Sequence, residues 1–440
     1  MLSRARIATA AILLAAAMGV MAPAAVAQET QPAPLITEPM PVAIDSGLVS
    51  NTGAGEAVVF SQRVFIPGAA ALRLEFDEVL LAGEIGEGTG SYLRIRSLLD
   101  GAEQRLNARH VLEWRHTSAY FNGDEVTIEI VARPGTGDNR LRMSTVQAEF
   151  EPYEPESICG ATDDRVLSFD NRAARLLPIG CTGWLIDDCG KCLLTAGHCS
   201  TSSGSITAVQ FNVPLSNSGG GLNHPPPEDQ YAPDTTSRQS NGGGGVGNDY
   251  AYFGVFPNSN TGLTPYETYG DTYHITTPPA HQGQTIRITG YGTTSPPVSN
   301  TWNQVQKTHT GPFFSFSGTT VSYQVDTTGG NSGSPVIHEN SGMAIGIHTH
   351  GGCGSNSGNY GTGLNHTGVQ NYLANPKGVC NVPCNDCPGD MDGDGDTDTI
   401  DVLVFLNAWN LHDPAGDFDG DGSFTTLDVL GFLNAWNAGC

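Results

Sequence analysis

The stretch Gly330-Asn331-Ser332-Gly333-Ser334-Pro335 constrains this chain more than any other. Glycines on both sides of Ser332 let the backbone turn so that the amides of Gly330 and Ser332 converge on one point, where a developing oxyanion can be held. A serine hydroxyl is a weak nucleophile until a histidine takes its proton, and the imidazolium that forms needs a buried carboxylate beside it. Thr195-Ala196-Gly197-His198-Cys199 and Asn248-Asp249-Tyr250-Ala251 supply those two groups. Each segment alone is ordinary: a turn, a structural histidine, an acid after a glycine-rich loop. Together, in the order His198, Asp249, Ser332 and at spacings that suit two successive β-barrels, they predict a catalytic triad.

Further segments carry a family likeness. Cys181-Thr182-Gly183-Trp184-Leu185-Ile186, the histidine segment, Gly290-Tyr291-Gly292 after a strand-like Thr285 to Thr289, and the run from Asp326 to Val336 resemble the bacterial glutamyl endopeptidases of the chymotrypsin fold. The resemblance spans about residues 159 to 375 and is weakest over 215 to 248, a stretch rich in Gly, Asn, Ser and Pro that reads as a long surface insertion. It implies a serine endopeptidase on a double β-barrel, with a histidine and a threonine receiving the carboxylate of a Glu or Asp side chain on the acyl side of the cut bond. Here these are His348, within Gly346-Ile347-His348-Thr349-His350, and Thr327; an imidazolium and a hydroxyl suit a carboxylate. Asp326 argues otherwise, because trypsin-like enzymes carry the acid that binds Lys or Arg at that place. The rival from another class is a non-catalytic adhesion or scaffold protein with a protease-like domain.

Arg4 and Arg6 precede an apolar run from Ile7 to Val20, and Ala25-Val26-Ala27 is a small-residue cleavage pattern. Residues 1–27 therefore read as a secretory signal peptide, with a retained anchor as the competing reading. An exported, extracellular protein with no membrane span after signal removal is expected, attached to a cell surface if its tail finds a partner there. Residues 28–155 hold no cysteine and alternate like half-buried strands, as in Leu72-Arg73-Leu74-Glu75-Phe76 and Val126-Thr127-Ile128-Glu129-Ile130. They predict an N-terminal β-sandwich, either a pro-domain or substrate-binding module or a mere folding appendage. The protease domain is assigned to 156–378, and self-cleavage after Glu156 is a candidate activation step.

All ten cysteines lie after residue 158, which in an exported chain reads as disulfides. Cys181 and Cys199 bracket the His198 segment and are expected to pair; the family likeness implies Cys159 with Cys353. Cys189 and Cys192 are expected to close a tight hairpin, leaving Cys380, Cys384, Cys387 and Cys440 to the tail. Zinc held by the two Cys-x-x-Cys pairs is the competing reading.

Residues 379–440 contain a duplication. Two twelve-residue loops begin at Asp390 and Asp417, each offering ligands for one calcium ion at positions 1, 3, 5, 7, 9 and 12: Asp390, Asp392, Asp394, Asp396, Asp398 and Asp401, then Asp417, Asp419, Asp421, Ser423, Thr425 and Asp428. An apolar helix follows each loop and ends near a shared Phe-Leu-Asn-Ala-Trp-Asn. Loop plus one helix, duplicated, with Asp at position 12, resembles a type I dockerin, a small α-helical module. That likeness implies a cohesin-like partner facing Thr399, Ile400, Thr426 and Leu427. Calcium is the only cofactor expected, and none is needed for the chemistry. The fold class is thus mainly β: a sandwich, a chymotrypsin-like double barrel, and a helical calcium-binding tail. The net charge is −25, and residues 384–440 contribute twelve Asp and no Lys, Arg or Glu, which disfavours nucleic acid as a partner.

Overall fold

The computed structural model describes residues 28–29, 31–85, 88–150, 156–159, 162–281, 283–294, 297–353, 357–382, 388–393, 397–419 and 423–438. The expected signal segment lies outside them, as do Asp394, Asp396, Asp421, Cys384, Cys387 and Cys440. Among the described residues no helix is long and apolar enough to cross a membrane.

Two sheets build the N-terminal region. One orders the strands Ala57–Phe65, Glu125–Ala132, Tyr92–Ser97 and Glu103–Leu106; the other centres on Asp138–Glu149, flanked by Thr37–Asp45 and Ala71–Leu74. The alternation in Glu125–Ala132 sends Val126, Ile128 and Ile130 into a core that also takes Leu72, Leu74, Leu93 and Val146. All four residues of Ala71–Leu74 are buried, Arg73 included, so the outer face of that strand is covered too.

The cover is the first of two barrels. Seven strands in the order Gln230–Tyr231, Ile206–Gln210, Ala173–Pro178, Cys181–Leu185, Leu193–Thr195, Ala251–Phe253 and Gln239–Ser240 form an open, curved sheet. The second barrel runs Ala344–Gly351, Pro335–His338, Thr285–Gly290, Lys307–Ser317, Thr320–Tyr323 and Asn359–Gly363, and Asn359–Gly363 pairs back onto Ala344–Gly351, closing six strands. Closure leaves only the ends of strands without a neighbour within the barrel. Trp184, fully buried, meets Tyr273 edge-on in the core of the first.

Leu177, Ala208, Leu222 and Ala232 of the first barrel belong to the same apolar cluster as the sandwich residues Leu72, Phe121 and Val146. Polar groups cross the same seam. Arg73 donates to the Thr207 carbonyl at 3.0 Å and to its hydroxyl, and Gln230 and Tyr120 exchange hydrogen bonds at 2.8 and 3.0 Å. His224 Nε2 lies 3.1 Å from Glu149 Oε2, both side chains buried. Parting the two regions would strip these groups of partners, at about 1–3 kcal/mol for each left dry.

Three disulfides are described. Cys159 bonds Cys353 and Cys181 bonds Cys199. The expected Cys189–Cys192 hairpin is not formed: Cys192 bonds Cys380, and Cys189 is itself disulfide-bonded elsewhere. Two glycines make room for this bond, since a Cβ at Gly254 would lie 2.7 Å from Cys380 Sγ and one at Gly190 2.9 Å from Cys380 Cα. Cys380 is therefore an anchor on the first barrel, not part of the tail's own framework. These pairings also remove the thiolates that zinc would need from Cys189 and Cys192.

The sandwich contains no cysteine, so its hold on the barrels is non-covalent. A chain nicked at a protease site engineered within 151–155 should elute at intact size in native gel filtration; separation into two species would contradict the shared core.

Candidate active site

One strand, Cys181–Leu185, organises the site. The Thr182 amide donates to the Ser332 carbonyl at 2.8 Å, the Thr182 hydroxyl donates to the Gly330 carbonyl at 2.9 Å, and the Trp184 indole N–H donates to the Gly333 carbonyl at 2.9 Å. Gly330 and Gly333 take φ of +95° and +89°. A Cβ at Gly333 would lie 2.1 Å from the Thr182 carbonyl oxygen, and one at Gly330 2.6 Å from that of Tyr291, so neither position admits a side chain. On its other side the turn is held by the second barrel: the Gly333 amide donates to the His348 carbonyl and the His348 amide to the Ser334 carbonyl, both at 2.8 Å.

The same strand fixes the histidine. Cys181 is tied to Cys199, which follows His198 in the 3₁₀ turn Gly197–Ser200. Asp249 is fully buried; one of its oxygens accepts from the His198 amide at 3.0 Å and the other lies 2.6 Å from His198 Nδ1. That contact places the proton on Nδ1 and leaves Nε2 the basic nitrogen. Thr362, from the second barrel, donates to the Asp249 carbonyl and accepts from its amide, each at 2.9 Å.

Sequence reading missed Arg165. Its guanidinium is buried beside Asp163, donates to Thr328 Oγ1 at 2.7 Å, to the Thr293 carbonyl at 2.8 Å and to Asn331 Oδ1 at 3.1 Å, and so buttresses the residue before Ser332. A lone arginine with no motif gives no signal of this role.

His348 is fully buried, with Nδ1 2.7 Å from the Tyr323 hydroxyl. Burial, with smaller contributions from the charges of His350 and His198, pushes its pKa down to about 3. With no carboxylate beside it, the ring is therefore uncharged near neutral pH. Burial also holds the Tyr323 phenol well above its usual pKa, so the phenol beside Nδ1 stays protonated. Thr327 is also buried and accepts from Asn359 Nδ2 at 2.9 Å.

Asp326 does not offer a free carboxylate. Its two oxygens accept the amides of Cys159 at 2.7 Å and Asp164 at 2.8 Å, and the side chain is buried. Its charge thereby staples the entry of the chain into the barrels. Glu156–Ser157 pairs with Thr327–Thr328 along the same wall in the uncut chain.

In the tail, carboxylate oxygens of Asp390, Asp392 and Asp401 lie within 4.8 Å of one another, as do those of Asp417, Asp419 and Asp428. The buried Asp401 accepts the amides of Met391, Asp392 and Asp398, and Asp428 repeats this with Phe418, Asp419 and Thr425. Each repeat's tryptophan donates to the other's loop, Trp436 to the Asp398 carbonyl and Trp409 to that of Thr425. Phe405 and Phe432 stack between the helices Thr399–Leu411 and Thr426–Ala438 with centroids 4.2 Å apart.

Comparison with known proteins agrees with this architecture. Residues 181–347 match the trypsin-like peptidase domain family. A glutamyl endopeptidase of Bacillus licheniformis is 29% identical over 249 residues, which cover 52% of this chain and 73% of the relative. Among solved structures, a Glu endopeptidase in complex with MPD has a TM-score of 0.37 at 21% identity, covering 49% of this chain and 98% of that one. The protease Anisep from Arthrobacter nicotinovorans has 0.36 at 21%, covering 48% and 99%. Residues 181–347 are thus similar to trypsin-like peptidase domains, and a glutamyl endopeptidase is among the proteins this chain resembles.

Because unfolded histidine titrates near 6.5 and His348 near 3, the unfolded chain binds the extra proton on acidification. This contribution to stability is complete above about pH 6.5 and is lost as pH falls toward 3. Nuclear magnetic resonance should find the His348 ring uncharged from pH 7 down to about 4; titration near 6.5 would contradict the burial argument.

Proposed function

We propose that the protein is a secreted serine endopeptidase that cuts after Glu and, less readily, Asp, and that its tail attaches it to a partner. The observation that carries the catalytic reading is the His198–Asp249 pair held on the strand that also grips the Ser332 turn. In this reading Ser332 Oγ bonds to the substrate carbonyl carbon as His198 Nε2 takes its proton, and the resulting oxyanion is received by the amides of Gly330 and Ser332. Collapse breaks the carbon–nitrogen bond, and His198 returns the proton to the leaving amine. Water, deprotonated by His198, then attacks the acyl ester, releasing the carboxylic acid and restoring Ser332.

Acidic specificity rests on His348 and Thr327. A neutral imidazole can donate one N–H to a carboxylate, and the arriving negative charge favours the protonated ring. A buried carboxylate without these donors would be an unpaired charge, so the pocket rewards Glu only while they are intact. The Lys/Arg alternative is disfavoured because both Asp326 oxygens already accept amides.

For the tail we propose a dockerin-like module with one calcium ion per loop. The clustered carboxylates of Asp390, Asp392 and Asp401, and of Asp417, Asp419 and Asp428, fit a hard cation, and no Lys or Arg in residues 384–440 balances them. Asp398, Ser423 and Thr425, with Asp394, Asp396 and Asp421, complete the proposed ligand sets. Bound calcium would supply the missing positive charge and couple loop closure to helix packing. Ile400 and Leu427, both exposed, lie at the start of their helices and form the proposed face for a cohesin-like partner.

Ser332→Ala should lower kcat/KM on a peptide ending in Glu by about four orders of magnitude or more, with unchanged circular dichroism. Retained activity would reject the mechanism and leave the non-catalytic scaffold reading. His348→Ala should cut the preference for Glu over Gln by about tenfold or more, measured as the ratio of the two kcat/KM values. Faster cleavage after Arg or Lys than after Glu in the wild type would overturn the specificity. A chelator should unfold the tail helices, seen as loss of far-ultraviolet ellipticity in the isolated tail, and Asp401→Ala should do the same at the first loop; helicity indifferent to chelation would contradict calcium binding.

A further inference from the structure

The residues that follow the expected signal cleavage site do not join the sandwich. Gln28–Glu29 pairs antiparallel with Ala344–Gly351, Gln28 opposite Gly351 and Glu29 opposite His350, just beyond His348 on the same strand. The Gly330 amide, one of the two proposed for the oxyanion, donates to the Gln31 carbonyl at 3.3 Å. Farther on, the Ala33 amide donates to the Gly180 carbonyl at 2.9 Å and the Leu35 amide to the Pro178 carbonyl at 2.8 Å, again antiparallel. Gln304 Nε2 donates to the Ala33 carbonyl at 3.1 Å. Residues 28–29 and 31–35 thus meet both barrels, on either side of the turn around Ser332.

The sequence suits that path. In Gln31-Pro32-Ala33-Pro34-Leu35 the N–H groups fall at Ala33 and Leu35, where barrel carbonyls wait, and the positions between are prolines with no N–H to satisfy. The fixed proline φ also lowers the entropy lost on holding the segment extended. Gly180 lets the strand approach: with φ of +66°, a Cβ there would lie 1.7 Å from the Ala33 carbonyl oxygen. Leu35 is buried in the core shared by sandwich and first barrel, directly before the strand Thr37–Asp45. The far end of the segment is therefore clamped by the sandwich.

The geometry points to autoinhibition: residues 28–35 are a tethered peptide that fills the proposed substrate cleft in an extended, substrate-like direction, and the docked sandwich is its mount. The inference rests on the peptidase reading above. Strand addition along an exposed edge binds peptides mainly through main-chain hydrogen bonds, so little side-chain specificity is required of the segment. A tether keeps it at an effective concentration on the order of 1 mM, so that even an intrinsic Kd of about 0.1 mM leaves the cleft open about one-tenth of the time. No bond is broken in the blocked state; activity returns when the segment is cut or displaced.

The test compares the chain beginning at Gln28 with one beginning at Ile36, using a chromogenic peptide ending in Glu and a small serine-directed phosphonate. The shorter chain should show kcat/KM higher by about tenfold or more, and a synthetic peptide of residues 28–35 should inhibit it competitively. Ala33→Pro in the longer chain, which deletes the donor to Gly180, should raise activity several-fold by about the same logic and covers the case in which the shorter chain fails to fold. Equal kcat/KM in both chains, no inhibition by the peptide and equal phosphonate labelling of Ser332 would overturn autoinhibition while leaving the peptidase reading standing. Absence of labelling in both would reject the peptidase reading and this inference with it.

Discussion

The hydrogen bonds from Thr182 and Trp184 to the turn around Ser332 are the contacts on which the rest of the site depends. They fix the backbone around Ser332 to the strand Cys181–Leu185, and the disulfide from Cys181 fixes His198 to that same strand. Two groups from widely separated parts of the chain are thereby referred to one rigid element, which suits chemistry sensitive to displacements of about 1 Å. Positive φ at Gly330 and Gly333 is the cost of so tight a turn, and only glycine carries it without strain. Asp249 and Thr362 then join the histidine to the second barrel, so both barrels are needed to hold the site.

The pocket beside it is governed by dehydration. Burial keeps His348 neutral and Tyr323 protonated, and the hydrogen bond between them holds the ring in place. Asp326, which by position alone could supply a negative pocket, is consumed by two backbone amides. The same residue types read from sequence could have made an acid-binding or a base-binding pocket; partner geometry, not composition, separates the two.

Legibility followed the range of the signal. His198, Asp249 and Ser332 sit in local motifs, and the duplicated tail repeats its aspartates and tryptophans at matching positions, so both patterns are visible in the sequence itself. Alternation in Val126 to Ile130 marked a true strand, but at Leu72 to Phe76 it placed Arg73 outside, whereas the barrel covers that face and Thr207 receives its guanidinium. Arg165, Tyr323 and the Cys192–Cys380 bond were not readable, because each acts through partners more than twenty residues away with no pattern around it. The path of residues 28–35 was hidden for the same reason: a short run with two prolines reads as a linker until the carbonyls it meets are known.

The sandwich, the cleft and the barrels form one coupled unit through Leu35, the buried His224–Glu149 contact and the seam around Arg73. The central claim is that Ser332 forms an acyl ester in this setting. It is tested most directly by mixing the chain beginning at Ile36 with an activated ester of an acyl-Glu peptide, quenching before the ester turns over, and mapping the adduct by mass spectrometry. The account predicts one acyl group per chain, on the peptide containing Ser332 and absent from Ser332→Ala. Ester turnover with no adduct on Ser332, or an adduct on another residue, would contradict it.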